Sequence, residues 1–136
     1  MKRLSVLLVL SVLGVLVAAP SVQAATPSPF VGAWTGNDPV NPGDGSTLYL
    51  SISGGTTVRL TFIDTFGTIC GNHGSPTDMF SSSLTGTVSG DTLDATFVWA
   101  RCGPVVFDFL VDAPMTFTYD SVTDTLSDGS VTWHRQ

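Results

Sequence analysis

The chain has 136 residues, of which five are Lys or Arg and eleven are acidic, and every acidic residue is Asp. This length is that of one domain. So few basic side chains cannot form the positive surface that neutralises phosphates, which argues against a nucleic-acid partner. The absence of Glu and the near absence of Lys argue against surface helices.

Residues 1–24 are typical of a secretion signal. Lys2 and Arg3 precede an apolar segment from Leu4 to Ala19, and Val22-Gln23-Ala24 supplies small residues for cleavage. The apolar segment is 16 residues long, short of the roughly 20 residues that a spanning helix needs, although an uncleaved anchor is the alternative. We expect cleavage after Ala24, giving a secreted or extracytoplasmic chain that has no membrane association and carries eleven Asp against three Arg.

After an irregular leader at residues 25–29, residues 30–136 form a single predicted domain. Apolar and polar residues alternate through it, which indicates half-buried strands, and no window has the helical period. A loop with three Gly residues and one Pro is predicted at 66–78. The predicted fold is all-β, an antiparallel meander barrel of about eight strands, with a β-sandwich as the alternative. Beyond the first strand near residue 30, the predicted strands are 47–53, 56–64, 81–88, 92–101, 105–112, 115–120, 125–126 and 131–135.

The chain contains two cysteines, Cys70 and Cys102. An even number of cysteines in an exported protein predicts a disulfide. Closing a loop of this length adds roughly 3.5–4 kcal/mol in the chain-entropy description. The alternative is metal ligation with His73, but the ligands lack the closely paired spacing of a structural zinc site. We therefore expect no metal and no cofactor.

The two ends of the domain carry aromatic motifs. Gly32 and Trp34 form a Gly-x-Trp pattern, and the chain closes with Trp133-His134-Arg135. The first pattern resembles the first-strand signature of lipocalins and other calycin-like small barrels, including avidins. The resemblance implies that Trp34 points inward at the closed end of the barrel with Arg135 across its face, giving Trp34, Trp133 and Arg135 structural roles. The C-terminal pattern from Tyr119 onward is similar to that of bacterial secreted small-barrel proteins.

Five residues are candidates for ligand binding on the interior face of such a barrel. The alternation places Asp64 at the end of one strand and Arg101 at the end of another, both near the predicted disulfide. A structural ion pair between them is the alternative, and the sequence leaves open whether the interior is filled or hollow. The tentative ligand-binding residues are Asp64, Phe97, Trp99, Arg101 and Tyr119.

No nucleophile elbow, phosphate-binding loop or dinucleotide motif occurs, so we expect no enzymatic activity and no catalytic residues. The leading hypothesis is a secreted binding module for a small apolar ligand or an extracellular protein. The alternative is a protease inhibitor whose segment 25–30 enters the protease cleft, because small secreted barrels with a Gly-x-Trp start also resemble bacterial metalloprotease inhibitors. Most Asp residues belong in turns, and the oxygen-rich loop 37–45 leaves calcium binding open.

Overall fold

The computed structural model describes residues 27–39, 46–65, 70 and 79–136. The predicted signal segment, the first two leader residues, and most of the loops at 37–45 and 66–78 lie outside the described residues. The described chain contains nine strands: β1 Gly32–Asn37, β2 Thr47–Gly54, β3 Thr57–Asp64, β4 Phe80–Ser89, β5 Thr92–Cys102, β6 Val105–Val106, β7 Pro114–Asp120, β8 Thr125–Ser127 and β9 Thr132–Arg135.

Eight of these strands close into an antiparallel barrel. Neighbouring strands along the chain pair with each other, β9 pairs with β1, and β5 bypasses β6 to pair with β7. The short strand β6 is an addition to the end of β5. The barrel confirms the predicted fold class, and its closure is consistent with the lipocalin-like architecture that the Gly-x-Trp pattern implies.

The alternation of the sequence decides which side chains fill the barrel. In β2, the apolar residues Leu48, Leu50 and Ile52 are buried, while Tyr49 and Ser51 are exposed. The same period holds in β1, β3, β4 and β7. The largest fully buried side chains of the described residues are Trp34, Trp133, Phe30, Phe117 and Leu50. A barrel of this size has an interior that such side chains can fill.

The alternation breaks inside β5. Leu84 of β4 pairs with Phe97, whereas the preceding Ser83 pairs with Trp99, so Val98 is an extra residue in β5. Such a β-bulge places two residues of one strand against one of its partner and reverses the faces beyond it. Ala100 and Cys102 are therefore buried while Trp99 is 37% exposed. The prediction that Trp99 and Arg101 share the interior face with Phe97 was wrong for this reason.

The predicted strand at 105–112 was also wrong over most of its length. Strand β6 ends after two residues, and a 3-10 turn follows at Asp108–Leu110. Asp112 has a positive φ of 66°, so residue 112 cannot belong to an extended strand, and β7 begins only after it. Phe107 and Leu110, three residues apart, pack together against the buried Phe80 cluster. That spacing suits a helical turn and not a strand, where such residues would lie on opposite faces.

Candidate functional site

One end of the barrel is closed by Arg135 and Trp34, and we call it the Arg135 end. The guanidinium carbon of Arg135 lies 4.1 Å from the centroid of the Trp34 ring, which confirms the contact that the lipocalin resemblance implies. Trp34 is fully buried and donates its indole N–H to the carbonyl of Phe30 at 2.9 Å. Tyr119 completes this end, with its ring centroid 6.5 Å from that of Trp34.

Arg135 also ties the entry segment to the last turn of the barrel. It donates to the carbonyl oxygens of Pro29 at 2.7 Å and Val31 at 3.0 Å, and its Nε lies 2.9 Å from Oδ2 of Asp124. The hydrogen bonds between the Arg135 and Asp124 side chains lower the pKa of Asp124 and raise that of Arg135. Desolvation, followed by the hydrogen bond to Asp124, raises the pKa of the Tyr119 hydroxyl. The polar side-chain groups of Trp34, Tyr119, Asp124 and Arg135 are thus engaged in contacts within the protein.

The opposite end contains the predicted disulfide. Cys70 and Cys102 are bonded, with their Cα atoms 5.4 Å apart, and no free cysteine occurs in the chain. Asp64 lies at this end, is 9% exposed, and accepts a hydrogen bond from the Ser46 hydroxyl. Asp64 thus has the inward orientation that the alternation predicts, at the end of β3.

The five tentative ligand-binding residues do not form one site. Asp64 and Phe97 face the interior toward the disulfide end, whereas Tyr119 lies at the Arg135 end. Trp99 and Arg101 project from the outer wall because of the bulge. Both predictions for Asp64 and Arg101, a shared ligand site and the alternative of an ion pair, are therefore wrong, since the two side chains are on opposite faces of the sheet.

The interior of the barrel is occupied by side chains along its length. Trp34 and Phe117 lie toward one end, and Trp133 contacts Phe62 toward the other, with ring centroids 5.7 Å apart. The indole N–H of Trp133 donates to Asp128 at 3.1 Å. This packing leaves the concave regions described below on the outside of the barrel. The described side chains thus favour a filled interior over a hollow ligand cup.

The outer wall of the barrel beyond the bulge has a concave region that is lined by aromatic, cationic and aliphatic side chains. The side chains of Trp99, Arg101 and Val106 line a concavity of about 240 Å³, and we call these three residues the Trp99 surface. Val106 lies directly opposite Arg101 in the β5–β6 pairing. The guanidinium of Arg101 is 5.0 Å from the centroid of the Trp99 ring, and its Nε donates to the Ser81 hydroxyl at 3.4 Å.

Further exposed apolar side chains lie in the chain around the Trp99 surface. Val106 is 57% exposed, and Phe109, in the 3-10 turn that packs against β5, is 70% exposed. Val98, Val105 and Val111 are also exposed. Single exposed apolar residues are ordinary, but a concentration in one connection indicates an interaction site. Val98, Val106 and Phe109 were not predicted as site residues. The signal in the sequence that this segment leaves the barrel is the Gly103-Pro104 pair, which breaks the strand before it.

A larger concavity, of about 450 Å³, lies on the outer wall over β3, β4, β5 and β7. Five of its ten lining residues are threonines, which lie beside Asp94, and the others include Pro114 and Met115. The Thr116 hydroxyl donates to Asp94 at 2.8 Å. This region has no aromatic side chain, and its one acid is already hydrogen-bonded, so it lacks the anchors that dominate binding energy.

Among the described residues, no group of three or more His, Cys, Asp or Glu side chains is arranged to hold a metal ion. Most of the loop considered for calcium lies outside the described residues. The described part of the chain has no helix of the length and hydrophobicity needed to cross a membrane. The sequence matches no protein-family model, and comparison with curated proteins and with solved structures found no similar chain.

Proposed function

We propose that this protein is a secreted, non-enzymatic binding module that engages a protein partner through the Trp99 surface, with the barrel interior serving as structural support. The observation that carries the proposal is the placement of Trp99, Arg101 and Val106 around one outer concavity. The interior, in contrast, is filled by other aromatic side chains, including Trp34 and Trp133. Trp and Arg are the residue types most enriched in binding hot spots. Secretion is supported by the signal-like N-terminus and by the disulfide, which is typical of oxidising compartments.

A small apolar ligand inside a lipocalin-like barrel is the less favoured form of the binding hypothesis. Trp34 and Trp133 are both fully buried, and each uses its indole N–H within the protein. A ligand of ordinary size needs a cavity of several hundred Å³. Entry of such a ligand would require these packed rings to move, whereas the Trp99 surface is already accessible.

The inhibitor hypothesis is weakened by the position of Phe30. This residue ends the segment expected to enter a protease cleft, yet its side chain is fully buried and its ring packs 6.0 Å from that of Tyr119. The neighbouring carbonyl of Pro29 is held by Arg135. Residues 25–26 of that segment lie outside the described residues. Pro29 and Phe30, at its other end, are part of the packed Arg135 end of the barrel.

The proposal is tested by selecting a random peptide library displayed on phage against the immobilised protein. We expect enriched clones to lose binding to Trp99→Ser and to Val106→Ser, which remove apolar area from exposed positions. Binding to Val122→Ser should be unchanged, because Val122 is 91% exposed in the turn at the Arg135 end. Clones that bind all three variants equally, or that are displaced by fatty acids, would contradict the proposal.

A further inference from the structure

Arg101 is a cation for which the described chain supplies no acid. The ion pair of the described residues joins Arg135 to Asp124, whereas Arg101 contacts the Trp99 ring and the Ser81 hydroxyl. The whole chain has eleven Asp and a formal net charge of −6. Within the described part of the chain, Arg101 thus has no carboxylate partner although the protein is strongly acidic.

The contacts of Arg101 orient its guanidinium for recognition. The ring of Trp99 lies beside the guanidinium carbon at 5.0 Å, and Ser81 accepts from Nε at 3.4 Å. Neither terminal nitrogen of Arg101 donates to a described residue. A guanidinium held in this way presents two parallel N–H groups, the geometry that binds a carboxylate through two hydrogen bonds.

The apolar side chains around Arg101 favour a carboxylate that has apolar groups next to it. Val106 lies opposite Arg101, and the Trp99 ring supplies the rest of the apolar side-chain lining of the concavity. An apolar side chain seated on this surface would exclude water from the ion pair and strengthen it. A bare anion would gain the ion pair but leave the apolar lining in water.

We propose that the partner of the Trp99 surface is a protein segment that places the side-chain carboxylate of an Asp or Glu on Arg101 and adjacent apolar side chains against Trp99 and Val106. This inference rests on the proposed function and names the chemistry of its partner. A second copy of the chain is disfavoured as occupant because each copy carries a net charge of −6, and like net charges oppose association.

The test uses the peptides selected on the full protein. We expect an acidic residue flanked by apolar residues in the enriched sequences, and a loss of affinity of about tenfold on Arg101→Gln. The matched control is Arg59→Gln, which removes the same charge from an exposed position on β3. Synthetic peptides with a C-terminal amide should lose affinity similarly when their Asp or Glu is replaced by Asn or Gln, which separates a side-chain carboxylate from a chain terminus.

The outcomes separate the partner chemistry from the function. Peptides that require Trp99 but bind Arg101→Gln as well as they bind the wild type would overturn the carboxylate inference and leave the proposed function standing. Peptides that ignore Trp99→Ser would overturn both. Sedimentation velocity of the wild type and of Trp99→Ser tests self-association, and a dimer that is lost in the variant would assign the surface to a second copy and overturn the inference.

Discussion

Replacement of Arg135 should destabilise the barrel more than replacement of any other exposed charge. Its guanidinium lies 4.1 Å from the Trp34 centroid and donates to the carbonyls of Pro29 and Val31 as well as to Asp124. A cation–π contact is worth about 0.5–2 kcal/mol. Hydrogen bonds from a charged donor are worth about 1.5–3 kcal/mol each, less at a site that water can reach.

We expect Arg135→Gln to lower the free energy of unfolding by about 2–3 kcal/mol, because the freed carbonyls recover part of their hydrogen bonding from water. For a domain of this size that corresponds to a fall in Tm of about 8–12 °C. Arg135→Lys retains the charge but not the planar fork, and it should recover less than half of the loss. The measurement is urea unfolding followed by tryptophan fluorescence, with Arg59→Gln as the control for removal of a positive charge.

The loss of unfolding free energy caused by Arg135→Gln should become smaller in acid. Because the pKa of Asp124 is lowered in the folded state, its ion pair stabilises the fold above the unfolded pKa near 3.8. That contribution is lost as the pH falls through the lower folded pKa. The difference in unfolding free energy between wild type and Arg135→Gln should therefore stay constant down to about pH 4 and narrow as the pH falls further. Equal stability of wild type and Arg135→Gln at pH 7, or a gap that widens in acid, would refute this account.

Three further substitutions test the packing. Cys102→Ser, which breaks the bond to Cys70, should cost roughly 3.5–4 kcal/mol in urea unfolding, and titration of the unfolded wild type should find no free thiol. Gly32→Ala should destabilise the fold in thermal unfolding, because its φ is 149° and an added Cβ would lie 2.7 Å from Nη1 of Arg135. Ser82→Ala should be neutral or stabilising by up to about 1–2 kcal/mol, since the fully buried Ser82 hydroxyl has no hydrogen-bond partner among the described residues; a loss of stability would contradict that.

Much of the barrel could be predicted because it depends on local alternation. A period of two in β2 and β3, separated by Gly54-Gly55, specifies both the hairpin and its buried face. The contact of Arg135 with Trp34 was also predictable, because the Gly-x-Trp pattern resembles that of a known class of barrels. Asp128 occupies the predicted turn, where its side chain accepts hydrogen bonds from the backbone N–H groups of Ser130 and Val131.

The candidate site could not be predicted from the same alternation. One extra residue, Val98, reverses the faces of Trp99 and Arg101, and nothing in the local pattern of β5 distinguishes a bulge from a regular strand. The excursion after β6 depends on Phe107 packing against Phe80, with ring centroids 6.3 Å apart. Such contacts between distant segments override local propensity. The two errors of prediction, the faces of Trp99 and Arg101 and the strand at 105–112, therefore both concern the region of the proposed binding surface.

Deletion of Val98 tests whether this residue is the extra one that sets the outward position of the Trp99 surface. In the deletion variant Trp99 would follow Phe97 directly, and regular alternation would keep Trp99 opposite Ser83 and outward, with Cys102 still inward beside Cys70. We therefore expect the variant to fold, to have no titratable thiol, and to bind peptides selected on the wild type, as Val98→Ala should. A folded deletion variant that has two titratable thiols, or that no longer binds those peptides, would show that Val98 is not the extra residue and that the bulge does not set the position of the Trp99 surface.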